Sequence, residues 1–167
     1  MRIHQIQTPG RDARQAASTM PAPDRTPPRP PNHPRPLTFA LLVGNRGFFP
    51  GHLAESGRTQ MLATLTGQGY EVVSLAPGDS RYGAVESRDE AKACAALFRA
   101  HRDRIAGVIV TLPNFGDERA IAETLRLADL HVPVLIHASA DSPSRMGIDD
   151  RRDSFCGKMS VCNVLTQ

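Results

Sequence analysis

From Leu37 onward, apolar and polar positions alternate between two periods, and the alternation defines a repeating strand-helix pattern. Leu37 to Val43 is a continuous apolar run of buried-strand length. It leads into a helical stretch from about His52 to Gly67, where Leu53, Gly57, Met61 and Leu65 fall on one stripe and Gly69 supplies the stop. Glu71 to Leu75 reads as a second strand, followed by a turn-rich loop from Ala76 to Gly83. Ser87 with Glu90 three residues later is a capping-box signature, and the helix it opens is expected to reach about Arg104. Ala91, Cys94, Ala95, Phe98 and Ile105 mark its inward face. Val108 to Leu112 reads as the third strand, Ile121, Leu125 and Ala128 as the stripe of a third helix, and Val132 to Ile136 as the fourth strand.

Four buried strands joined through helices form βαβ units, so the expected fold is three-layer α/β with a parallel four-stranded sheet, flavodoxin-like or Rossmann-like. The order 2-1-3-4 is taken from common topology, since periodicity does not encode it. After Ala138 the chain turns polar. A further helix follows from Ser154 to Gln167, with Phe155, Met159, Cys162 and Leu165 as its apolar stripe; because it runs to the last residue, a truncated chain is expected. The domain reading is a tail at 1–36, an α/β domain at 37–140, and a linker with the start of a following element at 141–167.

Composition alters this picture mainly at the amino terminus. Residues 1–36 hold nine prolines and six arginines against two aspartates, whereas residues 37–167 carry 14 basic and 15 acidic side chains. The tail is expected to be disordered, since it has too little apolar surface to offset ordering entropy. Its readings are a polyproline ligand for a partner, a basic anchor, or an inert extension. The basic pI belongs to the tail, so the folded part gives no support for a nucleic-acid partner. No apolar stretch reaches the roughly 18 residues that cross a bilayer, and no secretory h-region is present. The three cysteines lack zinc spacing and read as reduced thiols, so cytoplasm is the expected compartment.

Candidate chemistry gathers at the predicted strand ends, where open α/β sheets bind ligands. Arg46, flanked by Gly44 and Gly47, can hold a carboxylate, a phosphate or paired hydroxyls in bidentate fashion. It can equally pair with an acidic neighbour. The spacing is neither G-x-G-x-x-G nor a P-loop, which excludes both nucleotide readings. Asn114 can bond a hydroxyl, and Asp117 reads first as a helix cap. Arg151 and Arg152, before a helix start with Lys158 a turn later, suit an anion or polyhydroxyl ligand, or a charged junction. The histidines are dispersed and no nucleophile elbow is present, so neither a catalytic set nor a metal set is read within these residues.

Taken together, V-G-N-R-G-F-F-P at 43–50, Y-G-A-V-E at 82–86, T-L-P-N-F-G-D-E at 111–118 and R-R-D-S-F-C-G-K at 151–158 resemble the amino-terminal region of the L-fucose/L-arabinose isomerase-like family. The resemblance spans roughly residues 38–167. It implies an aldose–ketose isomerase that uses a divalent ion, usually manganese, held together with the acid/base groups in later domains. It also implies a Rossmann-like first domain that helps build a homo-oligomer and reaches a neighbouring active site through its first loop. Carried over to this sequence, the substrate contacts are Arg46 and Asn45, with Asn114 and Arg152 added by placement. On this reading the chain contacts a sugar, holds no cofactor itself and is inactive alone. Two alternatives stand beside it: a stand-alone small-ligand or anion-binding module, and an interaction module working through the tail.

Overall fold

The computed structural model describes residues 36–167. The expected disordered tail, save Pro36, lies outside the described residues. The elements run β1 (Thr38–Val43), α1 (Gly51–Gly67), β2 (Glu71–Val73), a short 3-10 turn (Arg81–Gly83), α2 (Arg88–Ala100), β3 (Ile105–Leu112), α3 (Glu118–Ala128), β4 (Val134–Ala138) and α4 (Ser154–Leu165). The strands form one sheet in the order β2-β1-β3-β4, every pair parallel. This is the expected flavodoxin-like α/β arrangement, its strands read from the pattern and its order from common topology, and it places the topological switch between β1 and β3.

Because side chains alternate across a strand, β1 feeds two cores. Ala40 and Leu42 join Val108, Val110 and Leu112 against α2 and α3, where Phe98 and Ile121 are fully buried. Leu41, Val43 and Ile109 face the other way, onto Ala54 and Leu65 of α1. Burial on both faces explains why β1 reads as an unbroken apolar run. Local signals end the helices as expected. Ser87 and Glu90 form a reciprocal capping box on α2, the Asp117 carboxylate accepts from Ala120 N at 2.8 Å to cap α3, and Gly69 takes φ +83° just past α1.

Three expectations about elements are corrected. Ile105 begins β3, paired with Thr38, and does not extend the inward face of α2; its burial satisfies either period, and the turn at 101–104 decides the matter. β4 starts at Val134, not Val132, because Pro133 has no N–H for a ladder and instead accepts from Val108 N at 2.9 Å. In α4 the stripe of Phe155, Met159 and Leu165 is exposed, while Ser154, Gly157 and Val161 are buried. The cause is close approach: a Cβ on Gly157 would lie 1.8 Å from the Phe115 carbonyl oxygen, so the helix seats its small residues inward. Across the expected boundary at residue 140, α4 packs on α3 and β4, with Val161 in the core.

Candidate functional site

Three loops converge at the carboxyl ends of β1 and β3. β2 is short, and beyond its end Val85 takes over the edge of β1: Val85 N donates to Val43 O at 2.8 Å, and Asn45 N donates to Val85 O at 3.1 Å. On the other side Gly44 N donates to Thr111 O at 2.9 Å. Gly44 and Gly116 both fit against the Leu112 side chain, where a Cβ on either would stand 2.8 Å or 2.6 Å from Leu112 Cδ2, and Gly116 turns with φ +74°. These contacts bring Asn45, Glu86 and Asn114, far apart in sequence, into one cluster.

Asn45 and Asn114 are 1% and 0% exposed. Asn114 Nδ2 donates to Asn45 Oδ1 at 2.7 Å, Asn45 Nδ2 donates to Glu86 Oε2, and Asn114 Oδ1 accepts from Gly116 N at 3.2 Å. Both amides therefore spend their capacity on tying the loops together, as buried polar groups must. The surface above them belongs to Arg46. Its Nη1 lies 3.2 Å from Glu118 Oε2, and its guanidinium sits 4.9 Å from the Phe115 ring centroid and 5.6 Å from that of Phe48. Phe49 stacks on Phe115 at 5.7 Å, and Phe48 is 80% exposed. The arginine thus has an acidic neighbour and still keeps donors beside an open aromatic surface.

Arg152 lies elsewhere. Its Nη1 donates to the Pro113 carbonyl at 2.7 Å, and its backbone N donates to Asp141 Oδ1 at 2.7 Å. It lines a cavity of about 390 Å³ with Gln60, Thr64, Thr111, His137 and Ser139, none of which belongs to the Arg46 cluster. The structure therefore brings together Arg46, Asn45 and Asn114 but separates Arg152 from them across Pro113. Sequence reasoning left out Glu86, Glu118, Phe48 and Phe115 as site members. All four stand in or beside the quoted loop segments, but no periodicity links one loop to another.

Burial pushes the Cys94 thiol up to about 12, which leaves it a packing group and not a nucleophile. Burial, and then the charge of Lys158, hold the His137 imidazole below its usual value. Among the described residues no three His, Cys, Asp or Glu side chains are grouped to hold a metal ion. None of the described helices is long and apolar enough to cross a membrane. A family model described as the N-terminal domain of fucose/sulfoquinovose isomerase matches residues 40–167. The comparisons with curated proteins and with solved structures give no match.

Proposed function

Since the chain belongs to the family of fucose/sulfoquinovose isomerase N-terminal domains, we propose that its Arg46 surface contacts the sugar in a metal-dependent aldose–ketose isomerase. The observation that carries this reading is the mounting of Arg46. A guanidinium beside Glu118 and over Phe115 offers bidentate donors and a carboxylate acceptor to adjacent hydroxyls. The exposed Phe48 ring gives the apolar face of a sugar a place to rest. Asn45 and Asn114 hold this arrangement from below as positioning residues.

Manganese and the acid/base groups come from elsewhere in the assembled enzyme, and no chemical step is assigned to the residues described here. The domain also contributes to a homo-oligomer in the cytoplasm, its first loop serving a neighbouring subunit's site. The reading of a stand-alone ligand-binding module is favoured by one observation, the separate cavity beside Arg152.

The test has two arms. With Mn²⁺ present, the purified 167-residue chain should interconvert no aldose and ketose; turnover would overturn the division of labour. In an isomerase that carries this domain, Arg46→Ala should raise the sugar KM with the fold intact. Unchanged kinetics would remove Arg46 from the substrate site.

A further inference from the structure

The structure assigns a second binding site to the cavity between α1 and the carboxyl ends of β3 and β4, and we propose that it takes a small hydrophilic molecule bearing an oxyanion. The hollow follows from the layering of the sheet. β4 pairs with β3 in the register Ile109↔Leu135 and Thr111↔His137, so Leu135 and His137 share the face that α1 covers over β1. α4 packs on β4 with its Val161 in the opposite core, beside residues of α2 and α3, and Leu135 is left 59% exposed. Beside Gln60, Met61 and Thr64 of α1 there remains about 390 Å³, within the range of roughly 300–1,000 Å³ typical of small-molecule sites.

The lining dictates the ligand class. Arg152 is anchored by one N–H on the Pro113 carbonyl, which leaves most of its donors for another acceptor. One ring nitrogen of His137 is held 3.0 Å from the Thr111 hydroxyl, so the other remains for a ligand. Gln60, Thr64 and Ser139 add neutral polar groups, and no carboxylate is among the lining residues. The adjacent Asp141 carboxylate is engaged by the backbone N–H groups of Arg152 and Asp153. Lys158 acts on His137 by its charge, and neither the Lys158 ammonium nor the Arg152 guanidinium has a carboxylate oxygen within 4.0 Å among the described residues. An unpaired guanidinium beside neutral donors, with the nearest carboxylate held against backbone N–H groups, favours an oxyanion over an uncharged polyol or a cation. Phosphate and carboxylate share this chemistry. The Arg46 loops are not involved, so the inference stands whether or not they bind sugar.

The experiment is an NMR titration of the 167-residue chain at constant ionic strength with inorganic phosphate, with acetate and with glycerol. At least one of the two anions should shift the His137 imidazole and the Thr64 and Ser139 amides saturably, the tighter one naming the source of the oxyanion, while glycerol should not. Gln60→Glu, on the exposed side of α1, should keep the fold and weaken binding roughly tenfold by placing a like charge in the cavity. Arg152→Gln should weaken it similarly, and Arg46→Ala should leave it unchanged. Anion shifts that fail to saturate, glycerol binding as tight as the anions, or full affinity in the folded Gln60→Glu chain would each overturn the proposal. Loss of anion binding in Arg46→Ala would overturn the separateness of the two sites.

Discussion

The two regions at the carboxyl edge of the sheet are built in opposite ways. Around Arg46 the loops are drawn together until Gly44 and Gly116 both press on the Leu112 side chain, and two buried asparagines join three loops in one chain of hydrogen bonds. Around Arg152 the same edge is hollow, because one helix covers the sheet on that side and leaves β4 bare. A region closed by its own hydrogen bonds presents a fixed surface, whereas the hollow is bordered largely by exposed or half-buried side chains. The first gains geometry at the cost of intolerance to change, and the second should accept substitution freely.

Substitutions can break this contrast in a definite order. Gly157→Val should be the most damaging, at about 3 kcal/mol or more, because its Cβ would displace the backbone at Phe115 and with it the loop under Arg46. Denaturant melts would show it; a loss below about 1 kcal/mol would mean that α4 does not set the loop. Asn114→Leu should cost about 2–3 kcal/mol by leaving Asn45 Oδ1 and Gly116 N–H buried without partners. The matched change at the hollow, Thr64→Ala on an exposed helical position, should stay within about 0.5 kcal/mol. If both variants melt alike, the contrast between closed and hollow regions fails.

Arg46→Ala should cost less than about 1 kcal/mol, since its partly exposed ion pair with Glu118 is screened by water. A smaller effect still is expected from His137. Its folded-state pKa lies below the ordinary 6.5, so on acidification the unfolded chain takes up a proton that the native chain resists. Stability should therefore decline as pH falls through about 6.5, and level off once pH passes below the folded-state value. His137→Gln should flatten that part of a melting profile measured from pH 7.5 to 5. An unaltered profile would show that burial of the imidazole is not sensed by the fold.

Much of the architecture was legible along the chain, for identifiable reasons. The run from Leu37 to Val43 reads as a strand because both of its faces are buried, and Ser87, Asp117 and Gly69 mark helix ends because capping is local. Ile105 and α4 resisted reading because a short apolar segment suits either period, and because Gly157 seats its helix by having no side chain.

The sequence by itself determined the alternation of strands and helices, the caps at Ser87 and Asp117, and the loops that carry Arg46, Asn114 and Arg152, since these rest on periodicity and turn chemistry within a few residues. Only the tertiary structure decided that Asn45 meets Asn114 across 69 positions, that Glu86 completes their chain, and that Arg152 lines a cavity apart from the Arg46 surface. Hydrogen bonds between distant loops depend on how closely two strands and a helix approach. That distance is set by packing in three dimensions and has no period along the chain.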